Sequence, residues 1–77
     1  MKKIMLSLIN GFVISGPKER EKEGRNLLNV VNKEMLSAYK DAKREGRSES
    51  AQMDERDDVF YQFEEEFEKL GFELKNI

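Results

Sequence analysis

Cysteine, histidine and tryptophan are absent from this 77-residue chain, and proline occurs once. Without cysteine there is no disulfide framework, thiol nucleophile or thiolate metal site. Without histidine, the chain lacks the commonest general base and the commonest ligand of transition metals. These absences exclude most enzyme mechanisms, and a chain this short leaves little room for a deep pocket. We therefore expect a non-enzymatic protein with no cofactor and no metal.

Long apolar runs are also missing. Residues 4–16 form an uncharged stretch that follows Lys2 and Lys3 and thereby imitates a secretory signal. Asn10 and Gly11 interrupt it, Pro17 comes directly after it, and no small-x-small cleavage site precedes that proline. Its 13 residues are also fewer than the roughly 20 that a membrane-spanning helix needs. We expect a cytoplasmic protein with no secretory signal and no membrane partner.

Charge is abundant but unevenly distributed. Residues 1–48 carry 11 Lys and Arg against 6 Asp and Glu, a net charge of +5, whereas residues 49–77 carry 3 against 10, a net charge of −7. A chain of this length supports one core, so residues 1–77 are expected to form a single small domain of marginal stability. The charge asymmetry favours binding to a charged partner, or a homo-oligomer in which opposite ends of two copies meet.

The N-terminal segment has the alternation of a β-strand, with Ile4, Leu6 and Leu8 on one face. Asn10-Gly11 follows, the residue pair best able to adopt positive φ at both centres of a two-residue hairpin turn. Residues 12–15 then return as a short second strand. The sequence predicts a β-hairpin, and a single strand followed by a loop is the alternative.

A first helix is predicted to begin at Pro17, because proline is favoured at the first helical position, with Ser15 or Gly16 as its cap. Its apolar residues recur at helical spacing, namely Gly24, Leu27, Leu28, Val31, Met35, Ala38 and Ala42, with Tyr39 at the edge. Glycine in this stripe costs about 1 kcal/mol relative to alanine. Gly24 therefore indicates a kink, a delayed helix start or a close approach of backbone.

A second helix is predicted between a cap at Ser48 or Ser50 and an end at Leu70, with Gly46 and Gly71 as the residues that follow the two helices. Its apolar stripe comprises Val59, Phe60, Phe63, Phe67 and Leu70, with Met53 at the margin. Arg56 falls within this stripe, so we expect it to extend toward solvent or to pair with a carboxylate. Residues 72–77 alternate as a short final strand.

Together these elements predict an α+β fold: an N-terminal β-hairpin, two antiparallel α-helices and a short C-terminal strand, with both helices packed on one face of a small sheet. The last strand would then run parallel to the first and could lie beside it. An all-helical arrangement with a disordered N-terminus is the alternative.

The clearest candidate contact surface is an acidic helix face centred on one aromatic residue. At 100° per residue, six carboxylates fall within about 60° of Tyr61 on the second helix. They are Asp54, Asp57, Asp58, Glu64, Glu65 and Glu68. In a contact surface, the ring would be the buried anchor and the carboxylates would attract a partner of opposite charge. The alternative is that the face has no binding role, is solvated, and has Tyr61 partly covered by a neighbouring residue. Asp54, Asp57 and Asp58 lack the loop of a calcium site.

A second candidate surface is the basic face of the first helix and the connection after it. Its cations are Arg25, Lys33, Lys40, Lys43, Arg44 and Arg47. They could contact phosphates, but aromatic residues are not interleaved with them and no nucleic-acid-binding signature is present. Leu36 is predicted to be exposed among them.

From these two surfaces we expect a small regulator or inhibitor that binds a basic surface of another protein through residues 51–70. The alternative function is a nucleic-acid-binding accessory module that uses the basic face, and a purely structural subunit is a third reading.

Overall fold

The computed structural model of the protein describes residues 2–75. Strands β1 (Lys3–Ser7) and β2 (Val13–Pro17) form the hairpin, and a 3-10 turn at Lys18–Arg20 leads into helix α1 (Glu21–Arg44). Helix α2 (Glu49–Lys69) and strand β3 (Glu73–Lys75) follow. The three strands form one antiparallel sheet in the order β1-β2-β3. The predicted α+β architecture is confirmed.

The predicted position of the last strand beside the first is wrong. β3 has the same direction as β1, but it pairs with β2, so that Ile14 lies between Leu6 and Leu74 on the inner face. The physical reason is Phe72, which precedes β3 and packs against Gly16 of β2 and Gly24 of α1. Residues 76 and 77 of the predicted strand lie outside the described residues.

The core is built from the predicted apolar stripes of both helices and the inner face of the sheet. Its buried members are Leu6, Leu8, Ile14, Leu28, Val31, Met35, Val59, Phe60, Phe67 and Phe72. Phe63 and Leu70 are only partly buried at its border, and Met53 is exposed. A methyl group added at Gly24 would lie 2.6 Å from the Phe72 ring, so this glycine marks a close approach between α1 and the segment before β3.

The hairpin turn has three loop residues instead of the two predicted. Leu8 N–H donates to the Phe12 carbonyl at 2.8 Å, and Gly11 N–H donates to the Leu8 carbonyl at 3.0 Å. Within the turn only Gly11 has a positive φ, of 91°, so Asn10 does not adopt the left-handed conformation of the predicted turn. Its side chain instead accepts from Phe12 N–H at 3.1 Å and donates to Asp57 Oδ1 at 2.8 Å. The turn is thereby fixed to α2.

The predicted helix start at Pro17 is also wrong. Pro17 ends β2 with extended backbone (φ −71°, ψ 140°), and neither Ser15 nor Gly16 caps a helix. Pairing with β1 explains this, because the register runs to Pro17 opposite Lys3 and continues with Lys18 N–H donating to the Lys2 carbonyl at 3.1 Å. The α-helix therefore begins four residues later, after the 3-10 turn.

The connection between the helices follows the prediction. Gly46 has a φ of 75° after the end of α1, and the Ser48 hydroxyl accepts from Ala51 N–H at 3.2 Å at the start of α2. Gly71 has a φ of 87° after α2. None of the helices within residues 2–75 is long and apolar enough to cross a membrane.

Candidate functional site

Tyr61 lies in the middle of α2 and is 52% exposed. One side of its ring packs edge-on against Phe12 and Phe60, with centroid distances of 6.1 and 5.6 Å. Phe12 and Phe60 also pack edge-on against each other at 5.4 Å. These contacts give Tyr61 a structural role that the helix pattern did not show, because Phe12 lies in the distant hairpin. They also restrict the position of the ring, which remains half-exposed to solvent.

Five carboxylates around Tyr61 are available to a partner. They are Asp54, Asp58, Glu64, Glu65 and Glu68, of which Glu64 is half-buried and the others are exposed. None of the five forms an ion pair with a side chain of residues 2–75. Their charge is therefore not compensated by an ion pair within the described part of the chain. We call these five residues and Tyr61 the acidic face.

Asp57 differs from the other predicted carboxylates because it belongs to the fold. Its Oδ1 accepts the hydrogen bond from Asn10 Nδ2 at 2.8 Å and a second one from Arg56 Nε at 3.1 Å. The side chain is only 28% exposed. The contact with Arg56 confirms that this arginine, although it falls within the apolar stripe, pairs with a carboxylate. Asp57 is thus a support for the hairpin turn at the border of the acidic face.

The predicted basic surface is partly neutralised by neighbouring acids. Arg25 pairs with Glu21 at 2.8 Å, and Arg44 pairs with Asp41 at 3.0 Å. Arg47 contacts Glu55 at 2.7 Å. Lys33, Lys40 and Lys43 are exposed and make no ion pair within the described part of the chain. Three of its six cations thus meet acids on the same molecule, which weakens this surface as a phosphate-binding site.

The acidic face is suited to docking. A fixed aromatic ring can be desolvated when a partner covers it, and uncompensated charges around it attract a surface of opposite sign. Within residues 2–75, no group of three acidic side chains converges closely enough to hold a metal ion. Every buried polar side-chain atom there has a hydrogen-bond partner, so no unsatisfied group marks a second site.

Comparisons of the chain with protein-family models, with curated proteins and with solved structures find no match.

Proposed function

We propose that the protein is a small non-enzymatic interaction protein, a regulator or inhibitor, that docks its acidic face on a basic surface of another protein. The half-exposed Tyr61 ring supports this most directly. It packs against Phe12 and Phe60, and five carboxylates without ion pairs in the described residues surround it. A rigid aromatic anchor loses little conformational freedom on binding, which favours affinity.

The two parts of the acidic face have different tasks. Tyr61 supplies the area that becomes desolvated, so its removal acts mainly on the dissociation rate. The carboxylates act at a distance, so they raise the association rate and make it depend on salt. A purely solvated helix face would show neither effect.

Capture from an extract of the protein's own host tests the proposal. The immobilised chain is compared with Tyr61→Ala and with a triple reversal of exposed carboxylates, Asp58→Lys, Glu65→Lys and Glu68→Lys. Asp57 is kept because its loss would disturb the hairpin turn. Quantitative mass spectrometry should find at least one protein that wild type retains and that both variants lose by about tenfold or more.

Two matched controls accompany this capture. The first reverses exposed acids away from the acidic face, Glu19→Lys, Glu34→Lys and Glu66→Lys, which changes the net charge by the same amount. The second changes Lys33, Lys40 and Lys43 to Glu and tests the nucleic-acid alternative. Both controls should retain the partner. Loss of the captured material only in the lysine variant, together with its release by nuclease, would replace the proposal with the nucleic-acid function.

A further inference from the structure

An open groove of about 440 Å³ lies on the side of the molecule where α1, the hairpin turn and α2 meet. Its apolar walls are Ile9 of the turn, with Leu36 and Tyr39 of α1. Ile9 is 51% exposed and Leu36 is 47% exposed. Ile9 N–H donates to the Asn32 side-chain oxygen at 3.1 Å, which fixes the turn on α1 and gives the groove a stable shape. Its volume falls within the usual range of ligand sites.

Two cations border these apolar walls. Lys33 is exposed and makes no ion pair with the described residues. The Arg56 side chain is 19% exposed, and within residues 2–75 its ion-pair partner is Asp57, which contacts Nε. The same Asp57 oxygen also accepts a hydrogen bond from Asn10. A guanidinium has five N–H donors, so this one shared acceptor leaves Arg56 with donors for a further carboxylate. The groove therefore favours an apolar or aromatic side chain flanked by carboxylates.

The chain itself carries a surface of this chemistry. The acidic face presents the half-exposed Tyr61 ring with Asp58 and Glu65 next to it. The ring cannot enter the groove of its own molecule, because Tyr61 rests on Phe12 and lies about 140° around α2 from Arg56. A second copy has no such constraint. We propose that the groove of one copy binds the acidic face of another, with the Tyr61 ring against Leu36 and Ile9 and the carboxylates near Lys33 and Arg56.

This contact joins two different surfaces of the same chain, so it is heterologous. Each molecule has one groove and one acidic face, so association yields either a closed ring or an open filament of copies. A 77-residue protein gains stability from the additional apolar burial. The contact uses the same face as the proposed docking to another protein, so self-association and partner binding compete. It does not require that partner to exist.

Sedimentation equilibrium of the purified full chain tests the contact with no partner present. Wild type at tens to hundreds of micromolar should exceed the monomer mass of 9.0 kDa and should dissociate as salt is raised. Leu36→Asp places a negative charge in an apolar wall of the groove, and Tyr61→Ala removes the anchor of the acidic face. Each variant alone should weaken association by at least about tenfold. Met5→Asp, on the exposed side of β1, is the matched control and should associate like wild type.

Mixing the two variants gives the decisive result. The Leu36→Asp protein keeps its acidic face and the Tyr61→Ala protein keeps its groove, so the mixture should form a one-to-one complex at concentrations where each variant alone stays monomeric. Lys33→Glu mixed with Glu65→Lys repeats the test with two exposed residues that form no ion pair among residues 2–75. A mixture that stays monomeric, or a wild type that is monomeric at every concentration, overturns the inference. Because no foreign partner is present, such a failure leaves the proposed function standing.

Discussion

Gly24→Ala should destabilise the protein, although alanine is the better helix former. Alanine in place of glycine inside a helix normally gains about 1 kcal/mol. Here the added methyl carbon would lie 2.6 Å from Cε2 and Cζ of Phe72, well inside the usual carbon–carbon separation of about 3.5–4.0 Å. The ring cannot move away freely because it is also packed closely against Gly16 of β2. Overpacking of this kind costs about 1–3 kcal/mol, so we expect a net loss of up to about 2 kcal/mol.

A double-mutant cycle separates the two contributions. Phe72→Leu removes the ring, and in that background Gly24→Ala should stabilise the protein by about 1 kcal/mol through helix propensity alone. The coupling between the two substitutions should therefore be about 1–3 kcal/mol. Urea unfolding followed by circular dichroism measures all four proteins, with an unchanged slope as the sign of unchanged compactness. If Gly24→Ala raised the midpoint equally in both backgrounds, the close approach between α1 and Phe72 would not exist.

Three further substitutions test other parts of the fold by the same unfolding measurement. Phe67→Ala should lower the free energy of unfolding by about 3–5 kcal/mol, because the ring is fully buried. This loss approaches the total free energy of unfolding expected for a chain of this length, roughly 4–12 kcal/mol. A change below about 1 kcal/mol would contradict the assigned core. Ser48→Ala should cost about 1 kcal/mol through loss of the helix cap while Ser50→Ala costs almost nothing, and the reverse order would move the start of α2. Asp57→Ala should cost about 1–3 kcal/mol because it leaves the turn and Arg56 without their shared acceptor, whereas Asp58→Ala should be neutral.

The elements that the sequence predicted well are those set by local patterns. The apolar stripes of both helices have a period that only one helix phase satisfies, and the helix ends at Gly46, Ser48 and Gly71 follow from residues that act within one turn. The alternation of Phe72 and Leu74 was sufficient to predict β3. In each case the deciding interactions lie within a few residues along the chain.

The features that the sequence did not predict depend on residues far apart in the chain. Asn10 does not adopt the left-handed turn conformation because its side chain donates a hydrogen bond to Asp57 on α2. Pro17 stayed extended because pairing with β1 continued through it, and that pairing outweighed the preference of proline for a helix start. The sequence also did not predict that β3 lies beside β2, because this depends on the packing of the Phe72 ring against Gly16 and Gly24.

The candidate site shows the same division. The position of Tyr61 among carboxylates followed from helix geometry alone, and its 52% exposure agrees with that placement. The support from Phe12, the structural use of Asp57 and the groove beside Arg56 all involve the hairpin turn, whose contact with α2 has no signal in either segment. The position of Arg56 in an apolar stripe was the one local sign of a polar contact and a groove at this place.

Binding kinetics of a captured partner test whether the acidic face is the docking surface. Association and dissociation rates are measured at several salt concentrations for wild type, Tyr61→Ala and the triple reversal at Asp58, Glu65 and Glu68. Tyr61→Ala should weaken binding by about 1–3 kcal/mol through faster dissociation. The triple reversal should instead slow association and flatten its salt dependence. A partner that bound both variants as tightly and as fast as wild type would contradict the claim.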